Sequence, residues 1–126
     1  MRLLLDTQVY LWFLADSRRL SRRARRMIVA ASEVFVSAAS IWEAAIKSGL
    51  GKLTAPVDDL VAGIAASGFA ELPVTAMHAV RVASLPQHHR DPFDRLLVAQ
   101  AMHEPLRLLT ADPALCQYSE LAVLID

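Results

Sequence analysis

The 126 residues carry 13 basic and 13 acidic side chains, so a net charge of zero gives no electrostatic indication of a nucleic-acid partner. This length fits one domain, residues 1–126, which can bury about two-thirds of its unfolded surface without a disulfide or structural metal. The single cysteine, Cys116, excludes an internal disulfide and a cysteine-rich zinc site, and we expect it to be a small buried residue.

Short apolar runs alternate with helical patterns along the chain. In chain order they predict a strand at 3–5, helices at 7–15 and 21–31, a strand at 34–36 and a helix at 37–48. Next come a helix at 57–66, a strand at 70–72, a helix at 75–83, a polar loop at 85–90 and a helix at 92–103. A strand at 106–109, a short helix from Pro113 and a strand at 121–124 complete the pattern. This alternation predicts an α/β fold with a central parallel sheet of about four to five strands and helices on both faces.

Two acidic residues follow predicted strands. Asp6 comes directly after strand 3–5, and Asp112 lies just past strand 106–109. The carboxyl ends of parallel strands meet at one edge of the sheet, where open α/β sheets bind ligands. Each residue also has a structural interpretation, because Asp is a favoured helix N-cap. For both residues the sequence leaves the two interpretations open.

Glu43 is the one charged residue between positions 34 and 46, in a helix that is apolar in most directions. A carboxylate in such surroundings is costly unless it is paired or bound to a metal. The alternative is a surface ion pair with Lys47, four residues later, which stabilises a helix only weakly.

The segment from Asp91 to Asp94 begins the predicted helix 92–103. Asp91 fits the N-cap and Pro92 the first helical position, so we expect a capping role for Asp91. Asp94 is also an acid in the positive first turn of the helix. It shares its side of the helix with Leu97 and Val98, however, which points it inward.

Four segments therefore deliver carboxylates to one edge of the sheet, at Asp6, Glu43, Asp94 and Asp112. Carboxylates that cluster without a cation repel one another. Oxygen ligands of this kind suit Mg²⁺ or Mn²⁺ rather than zinc, and such ions share their coordination with phosphate oxygens. The cluster therefore predicts phosphodiester chemistry.

Five segments carry a resemblance to a known family: residues 4–7, 40–43 with Lys47, 51–53, 91–101 and 109–112. In their order and spacing the chain resembles the PIN-domain nucleases, specifically the VapC toxins of bacterial toxin–antitoxin pairs, over nearly its whole length. The block around Asp94 is the most specific. Where relatives often carry His, Asn or Ser after Thr7, this chain has Gln8, which leaves substrate contact at that position open.

The resemblance implies a ribonuclease. It assigns Asp6, Glu43, Asp94 and Asp112 to a Mg²⁺ or Mn²⁺ site, with Thr7, Thr110 and Asp91 as supporting residues around it. It further implies cleavage of RNA, such as transfer or ribosomal RNA, by a metal-activated water that leaves 5′-phosphate and 3′-hydroxyl ends. A homodimer and a VapB-type antitoxin lying over the active-site groove are the implied partners.

Six arginines fall between positions 18 and 26, with same-charge pairs at helical spacing. One interpretation is an RNA phosphate clamp, and the other is a solvated face or pairing with an acidic partner. The candidate RNA contacts are Arg18, Arg19, Arg22, Arg23, Arg26 and Lys47.

Other function classes fit the sequence less well. A haloacid-dehalogenase-like site needs an acid where Gln8 stands, and a receiver domain needs a late lysine, whereas no Lys follows Lys52. The four histidines lack zinc-site spacing. No apolar stretch approaches the roughly 18 residues that span a bilayer, so we expect a cytoplasmic protein without a membrane partner. The remaining alternative is a non-catalytic PIN-fold module that binds RNA or protein.

Overall fold

The computed structural model describes residues 1–86 and 91–125. Within these ranges the strands are β1 (Arg2–Leu5), β2 (Glu33–Ser37), β3 (Ala70–Leu72), β4 (Arg107–Thr110) and β5 (Ala122–Leu124). The helices are α1 (Thr7–Leu14), α2 (Arg22–Ala30), α3 (Ala38–Gly49), α4 (Val57–Ala66), α5 (Ala76–Val82) and α6 (Pro92–His103), and a 3-10 helix spans Pro113–Gln117. All the strands are parallel, in the order β3-β2-β1-β4-β5.

The predicted α/β fold with a parallel sheet is confirmed, and most element ends fall within two residues of their predicted positions. The polar loop predicted at 85–90, with His88 and His89, lies mostly outside the described residues. Within the described ranges, no helix has both the length and the apolar character needed to cross a membrane. The prediction for Cys116 is wrong, because its side chain is exposed on the 3-10 helix.

The leucine run of β1 explains why helices cover both faces of the sheet. Leu3 and Leu5 join an apolar core with residues of α1, α2, α3 and α4. Leu4 points the other way, into a second core with residues of α5, α6 and the 3-10 helix. All three leucines are fully buried, and burying each side chain contributes about 1.5–3 kcal/mol to folding. A continuous apolar run is what a strand buried on both faces requires.

The strand order places the site. From β1 the chain adds β2 and β3 on one side, then crosses over to add β4 and β5 on the other. A crevice opens at the carboxyl ends of the strands where the order reverses, here between β1 and β4. The Asp6 backbone N–H donates to the Leu109 carbonyl at 2.9 Å, so the residue after β1 is fixed at the mouth of that crevice.

Candidate metal-binding site

An acidic pocket of about 350 Å³ lies at this edge of the sheet. The structure brings all four predicted ligands to it, since Asp6, Glu43, Asp94 and Asp112 are among its lining residues. The described lining also includes Thr7, Gln8, Lys47, Asp91, Ala111 and Pro113. We call this cavity the acidic pocket.

Asp6 is buried and makes no helix-capping hydrogen bond, although it stands at the N-cap position of α1. Its Oδ2 instead accepts a hydrogen bond of 2.6 Å from the Thr110 hydroxyl. Burial raises the pKa of Asp6, and the nearby Glu43 and Asp112 carboxylates raise it further, while the Thr110 hydroxyl and the Thr7 backbone N–H oppose the rise. The geometry therefore does not support the capping interpretation of Asp6, whose side chain lines the acidic pocket instead.

Thr110 connects two of the acids. Its hydroxyl, fully buried at the end of β4, donates to Asp6 and accepts the Asp112 backbone N–H at 3.0 Å. Asp112 Oδ1 in turn accepts the Ala114 N–H at 2.9 Å, which caps the 3-10 helix. Asp112 thus fulfils the capping interpretation and also lines the acidic pocket.

Glu43 is buried and also forms the ion pair with Lys47 that its sequence position allowed. The residue is 8% exposed, and its Oε2 lies 3.1 Å from Lys47 Nζ in an i,i+4 ion pair. Its other carboxylate oxygen, Oε1, is buried and has no hydrogen-bond partner in the described structure. A buried carboxylate oxygen without a donor is costly, so this atom marks a position where a cation would be stabilised.

Asp91 and Asp94 enter the pocket from the start of α6. Asp91 caps the helix by accepting the backbone N–H groups of Phe93 at 2.9 Å and Asp94 at 3.4 Å, as its sequence position predicted. Asp94 follows in the first helical turn and is half-buried at the pocket wall.

One polar contact at the site involves a residue that was not among the sequence-based candidates. The Thr7 hydroxyl donates to Ser40 Oγ at 2.8 Å, and both side chains are buried. Thr7 therefore ties the start of α1 to α3, which carries Glu43, and this bond leads to no carboxylate. The sequence signal was present, because Ser40 lies in a segment that carried the family resemblance.

The arginine candidates lie elsewhere on the chain. Arg18, Arg19, Arg22, Arg23 and Arg26 are exposed on α2 and the turn before it, and none is among the described lining residues of the acidic pocket. A sixth, Arg25, has a structural role, since it contacts the Ser17 carbonyl at 2.9 Å and Asp16 at 3.1 Å.

Three other residues come together with metal-ligand spacing: His78, His103 and Glu104 offer ligand atoms within 4.8 Å of one another. However, His78 Nδ1 accepts the Thr75 backbone N–H at 3.1 Å, which places the proton of the neutral ring on Nε2. Nε2 then donates to Glu104 at 2.6 Å. A metal on Nε2 would displace this proton, so the group is a hydrogen-bonded link between α5 and the end of α6.

The chain thus has a parallel α/β sheet with a crevice at its switch point, and acids from four segments line this crevice. Such an arrangement is typical of α/β domains that can bind a divalent cation. Residues 3–121 match the PIN domain, and the chain belongs to this family. No curated protein matches the sequence significantly.

Solved structures of toxin–antitoxin complexes share the fold. VapBC2 from Rickettsia felis, bound to a DNA fragment from their promoter, matches with a TM-score of 0.71 and 14% identity, covering 99% of this chain and 98% of its own. FitAcB from Neisseria gonorrhoeae matches with a TM-score of 0.66 and 19% identity over 98% and 96% of the two chains. A toxin–antitoxin complex from Klebsiella pneumoniae matches with a TM-score of 0.58 and 19% identity over 86% and 85%.

Proposed function

We propose that the chain is a Mg²⁺- or Mn²⁺-dependent endoribonuclease and the toxin of a toxin–antitoxin pair. The observation that carries the proposal is the acidic pocket, where four acids meet at the switch point and a buried Glu43 oxygen has no described partner. Membership of the PIN domain family and the likeness to toxin–antitoxin complexes support it.

The residues of the pocket fit a hard divalent cation. Asp6, Glu43, Asp94 and Asp112 would hold it through carboxylate oxygens, the donors that Mg²⁺ and Mn²⁺ prefer. When bound, such an ion lowers the pKa of a water and neutralises charge that develops on phosphate oxygens. Thr110 fixes the orientation of the Asp6 carboxylate, and Asp91 fixes the start of the helix that presents Asp94.

RNA cleavage with Mn²⁺ and with EDTA tests this function. We expect Asp94→Asn to abolish Mn²⁺-dependent cleavage and to leave the fold intact, and products of the parent to carry 5′-phosphate and 3′-hydroxyl ends. Asp58→Asn is the matched control. Asp58 is an acid in the first turn of α4, as Asp94 is in the first turn of α6, but it is exposed and is not among the described lining residues of the acidic pocket. Equal cleavage by the parent and Asp94→Asn would refute the proposed metal-dependent mechanism. RNA binding by the parent without cleavage would refute the enzyme and favour a non-catalytic interaction module.

We propose a VapB-type antitoxin as a partner. Supporting this, an apolar groove of about 780 Å³ adjoins the acidic pocket and shares Gln8 and Lys47 with it. Leu11, Trp12 and Leu14 of α1 contribute to its wall. Expression of the chain alone should arrest bacterial growth, expression of Asp94→Asn should not, and co-expression of a cognate antitoxin should restore growth.

The second partner we propose is another copy of the chain. Trp42 and Ile46 on α3 and Leu50 just after it are 62%, 41% and 65% exposed. Phe93 packs edge-on against Trp42 with ring centroids 5.1 Å apart. Exposed apolar patches of this kind mark interaction sites. Ile46→Glu should convert a dimer to a monomer in light scattering, whereas Val29→Glu, at an exposed apolar position on α2, should not.

We propose Lys47 and the exposed arginines as RNA phosphate contacts. Their positive charge supports this role, and removing one side chain that binds a phosphate should lower the salt dependence of RNA binding by roughly one unit of slope. Charge reversal at Arg22 and Arg26 tests the cluster. An unchanged affinity and slope would assign these arginines to a solvated face.

A further inference from the structure

Lys47 lies where the acidic pocket meets two apolar grooves. It lines the groove beside α1 and a second groove of about 470 Å³ between α3 and the start of α6. Among the described lining residues of the acidic pocket, Lys47 is the one with a basic side chain. Lys52 lines both apolar grooves but is not among the described residues of the acidic pocket. The two lysines therefore differ in their access to the acidic pocket, although the second groove, which both line, also includes Glu43 and Asp91.

The contact of Lys47 with Glu43 is asymmetric. The Glu43 side chain is 10% exposed and the Lys47 side chain is 41% exposed, with Nζ 3.1 Å from Oε2. The ammonium compensates one carboxylate oxygen and leaves Oε1 without a described partner. A lysine has a flexible stem and a strongly hydrated head, so Lys47 can move into solvent at low cost. Glu43, in contrast, is buried and lines the acidic pocket.

We propose that Lys47 is the internal counter-cation of Glu43 in the metal-free protein and that a divalent cation replaces it. This inference rests on the proposed metal-dependent function. A charged carboxylate that is buried without a positive partner or sufficient hydrogen bonds is costly, and two cations near Glu43 compete for the same group. Lys47 is therefore a positioning residue that stabilises the metal-free fold and weakens metal binding. Binding of the divalent cation releases the ammonium at the mouth of the pocket.

Calorimetric titration with Mn²⁺ at pH 8 and thermal unfolding in EDTA test this exchange. We expect Lys47→Met to bind Mn²⁺ about fivefold more tightly, the equivalent of about 1 kcal/mol, the upper end for a partly exposed ion pair. The same variant should have a lower unfolding temperature in EDTA. Lys47→Arg, which keeps the charge, and Lys52→Met, which changes the other groove lysine, should match the parent in both measurements.

The outcomes separate this inference from the proposed function. Suppose that the parent binds Mn²⁺ and that Asp94→Asn abolishes this binding. An unchanged or weaker Mn²⁺ affinity in Lys47→Met then overturns the counter-cation role and leaves the metal site standing. No Mn²⁺ binding in the parent overturns both. If Lys47→Met folds only with Mn²⁺, the exchange is supported. Failure of both Lys47→Met and Lys47→Gln to fold with Mn²⁺ overturns it, because the ion should replace the missing positive charge.

Discussion

Thr110→Val tests whether the hydroxyl at the end of β4 orients the metal site. Valine keeps the shape of threonine and removes two hydrogen bonds, the 2.6 Å bond to Asp6 and the 3.0 Å bond from the Asp112 N–H. A bond to a charged group contributes about 1.5–3 kcal/mol and a neutral one about 1 kcal/mol. We therefore expect the free energy of unfolding in EDTA to fall by about 2.5–4 kcal/mol at pH 7.

The same substitution should weaken metal binding, because Asp6 loses the group that fixes its carboxylate. Removing such a supporting hydrogen bond typically costs about 10- to 100-fold in metal affinity. Urea denaturation in EDTA and calorimetric titration with Mn²⁺ measure the two effects. The stability difference from the parent should also shrink in acid, since the charged share of the Asp6 bond disappears when Asp6 is protonated.

Thr7→Val is the matched control. Thr7 is also a buried threonine at the acidic pocket, but its hydroxyl donates to Ser40 and not to a carboxylate. This variant should lose about 1 kcal/mol of stability and keep its Mn²⁺ affinity within about twofold. Parental Mn²⁺ affinity in Thr110→Val, or an equal loss in Thr7→Val, would refute the reasoning.

Four further substitutions probe the fold and the site. Burial raises the pKa of Asp6 above 3.8, which means that the folded protein favours the protonated form. The contribution of Asp6 to stability is therefore complete below pH 3.8 and is lost as the pH rises through the pKa of the folded state. Asp6→Asn should therefore unfold at higher urea than the parent at pH 8 in EDTA, and parallel curves from pH 4 to 8 would contradict this. Arg95, 8% exposed, donates to three backbone carbonyls and a tyrosine hydroxyl. Arg95→Leu should lower the free energy of unfolding by about 3 kcal/mol or more, and an unchanged urea midpoint would refute this. A Cβ at Gly63 would lie 2.9 Å from the Tyr10 hydroxyl, so Gly63→Ala should lower the free energy of unfolding by about 1–2 kcal/mol. A Cβ at Gly49 would have nothing within 4 Å, so Gly49→Ala should raise the free energy of unfolding by about 0.5–1 kcal/mol. Thermal unfolding measures both changes.

Local patterns predicted the elements, because an apolar run or a cap depends on neighbouring residues. The leucines of β1 and the Asp91-Pro92 start of α6 are of this kind. The carboxyl-edge rule also placed Asp6 and Asp112 at one edge, since it requires only that the strands be parallel. The position of β1 at the centre of the sheet depends on contacts distant in sequence, which the pattern does not contain.

The hydrogen bonds of the site were less predictable, because they also join residues that are distant in sequence. The Thr110–Asp6 bond joins residues 104 positions apart, and the Thr7–Ser40 bond joins residues 33 apart. The expectation that Cys116 is buried failed because it came from the general preference of cysteine, whereas its place on the 3-10 helix decides its exposure. For Glu43, the sequence predicts either a costly carboxylate in apolar surroundings or an ion pair with Lys47 at the surface, whereas the structure shows this ion pair on a buried carboxylate.

Asparagine substitutions can show whether Asp112 and Asp91 act as helix caps or as metal ligands, because asparagine and aspartate cap helices about equally well. Asp112 and Asp91 both accept backbone N–H groups and both line the acidic pocket. Replacing either with asparagine preserves the cap and removes the charge, so it should leave the free energy of unfolding nearly unchanged in EDTA. We expect Asp112→Asn to weaken Mn²⁺ binding and Asp91→Asn to retain it within about twofold, as their proposed roles require. If Asp112→Asn binds Mn²⁺ as tightly as the parent, Asp112 is a helix cap and not a ligand. If Asp91→Asn loses most of its Mn²⁺ affinity, Asp91 is a ligand. Alanine at each position should cost about 1 kcal/mol of stability, since it removes the cap as well.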